Sequence, residues 1–405
     1  GRLAQIALGA EYRREDFISK ANTDFAALVA VSTGLDPTFI AEGKRDVSAV
    51  FAELALPVLK SLDVTASVRY DKYSDFGSST NPKLSFRFQP SRELLVRGSA
   101  STGFRAPTLY ELYGSQAYTN TAGNFNNPIN CPGGTVIPGA SPGANCGVQF
   151  QVLNGGNTDL KPEKAQNYTL GLVVEPIDNL SLGIDFWWVK IKDSIASLPQ
   201  STLFANYTQF QQYFHFAQPG NLLSITSNCP GPRCGYVDQR LQNLGKTNAN
   251  GIDLSLQYQL RTGAGVFDTI LNSTYMTKYE YQDYQGGPFN QNVGIYVGTG
   301  PIFRWQHNLA VNWKLGDFGA GLAAHYKSGY LDFIPTNTVS DFTTVDIYGS
   351  WSPIKGATLL LGVRNVADKE PPFTNQADLF QSGGWDSRFA SPTGRTYYLR
   401  ASYSF

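Results

Sequence analysis

Stretches of about ten residues in which every second side chain is apolar recur along this chain, and they limit its fold more than any other feature. In 251–260, Ile252, Leu254, Leu256, Tyr258 and Leu260 share one parity, while Asp253, Ser255, Gln257 and Gln259 share the other. The same alternation runs through 62–71, 166–175 and 397–405. Period two is the signature of a strand with two unlike faces. No apolar run approaches the roughly 18 residues that a membrane-crossing helix needs. A chain without such a helix crosses a bilayer only as a closed barrel, because every backbone N–H and C=O must be paired inside the hydrocarbon.

Composition agrees with that reading. The 405 residues would ordinarily suggest two or three soluble domains. Charged residues make up only 16%, against about a quarter in typical soluble domains. Gly (40), Phe (25) and Tyr (22) are abundant. The 32 basic and 32 acidic residues balance, so the basic stripe of a nucleic-acid binder is not expected.

The alternation template gives an all-β chain: a transmembrane antiparallel up-and-down β-barrel with about 14 strands present. The estimated strand cores are 4–13, 46–56, 62–72, 82–89, 93–102, 166–175, 180–191, 250–260, 266–279, 304–314, 318–327, 342–351, 357–366 and 395–405. Of these, 46–56 and 266–279 alternate least clearly. Connections are expected to alternate long and short along the whole chain. The long ones fall at about 15–45, 103–165, 192–249, 280–303 and 367–394, and all lie on one side, outside the cell. Tyr12, Trp188, Trp305 and Trp351 lie on the apolar parity near strand ends, where aromatic girdles sit; ordinary strand enrichment in aromatics is the plainer reading. The opening segment 1–9 lacks an initiator Met and a basic n-region, and the expectation is a piece of a longer precursor.

Four cysteines form two close pairs in Gly/Pro-rich loops, which suits an oxidising compartment. Cys131 with Cys146, and Cys229 with Cys234, are expected to be loop staples. A four-thiolate metal site is disfavoured because the pairs lack Cys-x-x-Cys spacing and fall in different loops, so no metal and no cofactor is expected. His307 shares the apolar parity of Trp305, and His325 the polar parity of Lys327. No Gly-x-Ser-x-Gly elbow or distinctive acid–base pair is present, so catalysis is not expected.

Aromatic rings present flat apolar faces with polar edges, which suit sugars, catecholates or macrocycles. The loop candidates for ligand contact are Tyr118, Phe125, Tyr207, Phe210, Tyr213, Phe214, His215, Phe216, Tyr281, Tyr284 and Phe289. For His215 a haem or metal ligand is the sharper reading, and a loop aromatic cluster packing on itself is the favoured one. Arg105 is a further candidate for ligand contact, and is expected to pair with a carboxylate inside the barrel. Tyr110 and Tyr113, which follow it, are expected to line the ligand vestibule.

Several stretches resemble the TonB-dependent receptors. The strongest is the run from Gly103 through Phe104, Arg105, Ala106 and Pro107 to Leu109, Glu111 and Leu112, directly after a strand. The run 157–163 is similar to the family's entry to the next strand, with Thr158 in place of the usual Pro. The segments 361–369 and 394–405 are similar to its last two strands. The resemblance implies that these are the last 14 or so strands of a 22-stranded barrel whose plug lies outside this sequence. It further implies active import of a scarce nutrient (siderophore-bound iron, cobalamin or an oligosaccharide) at the bacterial outer membrane, energised by TonB with ExbB and ExbD through that plug. Leu399, Ala401, Tyr403 and Phe405 resemble the terminal signal read by the barrel assembly machinery. Lipopolysaccharide and lipid are the expected surroundings. A complete 14-stranded passive pore or lipid channel is the alternative, and an adhesion or phage-receptor surface the third reading.

Overall fold

The computed structural model describes residues 3–20, 40–217, 222, 235–297, 300–376 and 384–404. Fourteen strands form one continuous antiparallel sheet in chain order. They are β1 (Gln5–Lys20), β2 (Ile40–Leu59), β3 (Leu62–Tyr73), β4 (Gly77–Phe88), β5 (Leu94–Arg105), β6 (Glu163–Ile177) and β7 (Leu180–Lys192). They continue as β8 (Lys246–Thr262), β9 (Gly265–Gln282), β10 (Trp305–Leu315), β11 (Phe318–Lys327), β12 (Phe342–Trp351), β13 (Ala357–Arg364) and β14 (Thr396–Tyr403). The two least clearly alternating segments lie within β2 and β9.

Register explains why alternation survives the whole sheet. Val64 lies opposite Phe86, Leu172 opposite Ile184, Leu256 opposite Leu271, Val311 opposite Leu322, and Leu361 opposite Leu399. One face is therefore apolar from β1 to β14. Its large side chains stand open: Leu8, Val68, Leu84, Leu170, Leu361 and Leu399 are all exposed. An apolar surface of this extent is not left to water. Tyr12, Trp188 and Trp351 are exposed on the same face, where Trp305 packs against Tyr275 at 4.5 Å.

The other face is polar. Arg97 forms a two-pronged pair with Asp185 across β6. Towards the long-connection end of β1–β3, Glu11, Arg13, Glu15, Arg45, Arg69, Asp71 and Asp75 join in one run of ion pairs. Each Arg there serves two carboxylates, and Glu11 and Glu15 are each shared by two Arg, so the run is one connected network.

Two expectations about connections need correction. The strands run past the anticipated boundary of the first long connection: β1 continues to Lys20 and β2 starts at Ile40, so that connection is narrower than 15–45. Residues such as Glu15 and Arg45 extend the strands because they pair across the sheet. The strict long–short rhythm also fails once. Only residues 74–76 join β3 to β4 at the end that carries the long connections elsewhere. Gly77 closes this turn with φ +98°, and Phe76 stacks on Tyr73 at 4.4 Å. The strand β4 consequently begins five residues before the expected core, through the polar run Gly77–Pro82 that alternation does not flag.

Candidate functional site

The long connections are folded bodies at one end of the sheet. After Arg105 the chain turns into a short helix, α1 (Leu109–Tyr113), with a capping box in which Thr108 and Glu111 exchange hydrogen bonds. The helix packs over β1 and β2. Tyr113 lies so close to Gly43 that any side chain there would overlap its ring, which explains the glycine. Leu109, Leu112 and Leu160 are buried together beneath it. Arg105 is the joint: its guanidinium grips Glu163 with two nitrogens (2.8 and 2.9 Å) and Glu111 with a third. The expected carboxylate partner is thus two carboxylates, and Arg105 ties β6 to α1. Tyr113 is half-buried, whereas Tyr110 is 65% exposed, its ring nearly perpendicular to that of Phe17 at 6.0 Å.

The connections before and after β6 and β7 build a second body with a core of its own. Phe150, Val152, Leu198, Leu203, Phe210, Phe214 and Val237 are buried in it. A small sheet frames it, ordered 214–215, 236–238, 151–154 and 117–120, with its central pair parallel. Cys131 and Cys146 are disulfide-bonded across 15 residues. Cys229 and Cys234 lie outside the described residues.

This core absorbs most of the aromatic candidates. Phe125 stacks on Phe204 at 4.5 Å; Tyr207 meets Phe214 edge-on at 5.0 Å; Phe210 meets Tyr284 likewise. Phe216 packs against Tyr207 and Phe214. Tyr213 donates to the Gln242 side chain at 2.7 Å and borders a polar pocket of about 300 Å³ with Asp159, Asp238 and Arg240. Tyr281 is half-buried at the end of β9, paired with Thr247 and Asn290. Two candidates stay exposed in addition to Tyr110: His215, stacked on Tyr236 at 4.5 Å, and Phe289, 44% exposed; Tyr118, edge-on to Tyr236 at 5.2 Å, is half-buried. Tyr236 and the Asp238–Arg240 pair beside them were missed. Tyr236 and Asp238 sit in a three-residue strand, too short for a period to register, and Arg240 follows it.

A third body joins the connections after β9, β11 and β13 around Tyr296, Phe303, Tyr330 and Val339. Its polar centre is Asp332. Burial pushes this carboxyl up, but hydrogen bonds from Thr374, Asn375, Asn337 and Phe333 outweigh that and hold it below the usual carboxylate value. Burial raises the Tyr330 hydroxyl, with the negative charge of Asp332 adding to it. Arg388 holds Asp386 and donates to the Tyr296 hydroxyl at 2.6 Å. Among the described residues no group of His, Cys, Asp and Glu is placed to hold a metal ion.

The family described as "TonB dependent receptor-like, beta-barrel" matches residues 1–366. A probable TonB-dependent siderophore receptor, PirA of Acinetobacter baumannii, is 23% identical over 386 residues, covering 90% of this chain and 44% of the relative. The crystal structure of that siderophore receptor superposes with a TM-score of 0.65 at 18% identity, over 99% of this chain and 52% of the other. A ferric enterobactin receptor mutant, PfeA of Pseudomonas aeruginosa, gives 0.67 at 17%, over 99% and 51%. The copper transporter OprC gives 0.59 at 14%, over 99% and 54%. The chain thus spans about half the length of the relatives it matches, and its fourteen-strand sheet fits a portion of their barrel wall.

Proposed function

Since this chain belongs to the TonB-dependent receptor β-barrel family, we propose that it supplies the wall and ligand-gathering mouth of a bacterial outer-membrane importer. The observation that carries this is the sheet itself, fourteen strands apolar along one face and polar along the other, with ion pairs across β1–β3 and β5–β7. Lipid suits the first face, and an enclosed plug or aqueous path suits the second. Energy reaches such a barrel from TonB, with ExbB and ExbD, through a plug. Leu399, Ala401 and Tyr403 on β14 are offered to the assembly machinery as an alternating apolar edge; Phe405, the last residue of that expected signal, lies outside the described residues.

The cargo is a metal chelate of the siderophore class. The named relatives include siderophore receptors and a copper transporter, and the candidates left exposed at the mouth are aromatic: Tyr110, His215 and Phe289, with Tyr118 half-buried beside Tyr236. Flat conjugated ligands stack on such faces. The test is uptake of radiolabelled iron offered as single purified siderophores to cells carrying or lacking the intact gene, with and without TonB. Import by carriers alone, abolished without TonB, supports the reading. Flux that persists without TonB would indicate a passive pore.

A further inference from the structure

The wall is parted between β4 and β5. These strands pair only from Phe88–Val96 to Lys83–Ser101. Beyond that point β4 continues on β3 alone to Gly77, and β5 continues on β6 alone to Arg105. Pro82, which has no N–H to offer a ladder, stands at the first position past the last pair. The parted strands leave a cleft of about 360 Å³, lined by Ser78, Thr80, Thr102, Lys164, Lys190 and Lys192 among others. These six share the parity of the apolar face, so the lysines of the cleft stand on the side where Leu84 and Leu170 are exposed, while Ser79, Asn81, Gly103 and Ala165 line it from the other parity.

The lysines are placed at a cost. Lys192 lies directly opposite Lys164 on one side and Lys246 on the other, so three ammonium groups stand in one row. Like charges facing each other across strands are destabilising. None of Lys164, Lys190, Lys192 and Lys246 has a carboxylate partner among the described residues, and Glu280 in the row of Lys190 is taken by Lys278 and Asn248. The same rim on β1 and β2 is different: Arg14 there faces Asp46, and Asp16 faces Lys44. Tyr168 and Trp188 face each other where the apolar belt ends. Lys190 and Lys192 follow Trp188 by two and four residues, about 7 and 13 Å along the strand, which is headgroup depth.

We infer that this cleft binds the phosphorylated sugar headgroup of an outer-leaflet glycolipid. Ammonium groups meet the phosphates in charge-assisted hydrogen bonds. The hydroxyls of Ser78, Thr80 and Thr102 suit a sugar, and the acyl chains lie along the apolar face below. The inference rests on the membrane reading above, and its test separates the two.

The full-length protein is purified in detergent, and the binding of diphosphorylated lipid A is measured by native mass spectrometry. Lys164→Gln/Lys190→Gln/Lys192→Gln is compared with a control carrying Arg14→Gln/Lys20→Gln/Lys44→Gln on β1 and β2, away from the cleft on the same rim. The cleft variant is expected to lose affinity on the order of ten- to a hundredfold. The control should keep it, and lipid A stripped of phosphate should bind the unaltered protein as weakly as the cleft variant binds lipid A. Equal binding by all three proteins overturns the inference, as does full displacement of lipid A by an equal concentration of inorganic phosphate, which would mark a free-anion pocket. Heat-modifiable migration of each protein reports the barrel separately: its absence from the unaltered protein would count against the membrane reading instead.

Discussion

Arg105 shows how much of this architecture passes through single side chains. It binds two carboxylates at once, one on β6 and one on α1, and Arg45 adds a hydrogen bond to the Pro107 carbonyl in the same turn. Arg105→Ala strands two partly buried acids and is expected to destabilise the junction by about 2 kcal/mol. Arg105→Lys should recover little, since an ammonium cannot hold two forks. Thermal unfolding followed by circular dichroism checks both, and a wild-type midpoint in either variant would remove the joint from the account. A carboxylate partner for Arg105 was legible from its place after a strand. The fate of Phe125, Tyr207, Phe210 and Phe214 was not. An aromatic in a long loop reads the same whether it waits for a ligand or fills a core, and only Phe150, Val152 and Leu203, which meet them from distant segments, decide it.

Among the elements, barrel strands announced themselves and loop elements did not. The cores expected at 318–327 and 342–351 coincide with β11 and β12, because a two-faced strand imposes period two on every residue. The start of β4 was hidden because Gly77, Ser78, Ser79, Asn81 and Pro82 carry no apolar face to read. The loop bodies have weaker, separable supports. Cys131→Ser/Cys146→Ser is expected to cost about 3 kcal/mol from the span the bridge closes. That cost should fall on the loop body: proteolysis within 117–160 should accelerate while the sheet melts unchanged. The third body responds to acid. Asp332 has a folded pKa below its ordinary 3.8, so its stabilisation is complete above that value and disappears as pH falls through the lower one. Amide exchange in 330–339, corrected for intrinsic rates, should therefore rise below about pH 4. In Asp332→Asn the exchange should already be raised at pH 6. Equal protection in both proteins at both pH values would discharge Asp332 from this role.

For the whole molecule, everything depends on one face meeting lipid and the other an enclosed polar interior. The alternation, the absence of a long apolar helix and the ordered motifs made that arrangement legible before any coordinates. The parting of β4 from β5 was not legible, because it arises from where a ladder stops, not from the composition of either strand. The most direct test places single spin labels at each position from 252 to 257 on β8 of the full-length protein in a bilayer, and compares collision with oxygen and with a water-soluble nickel chelate. Ile252, Leu254 and Leu256 should be open to oxygen and closed to nickel, with Asp253, Ser255 and Gln257 reversed. Accessibility that does not change with period two, or labels all open to nickel, would contradict a membrane-spanning wall.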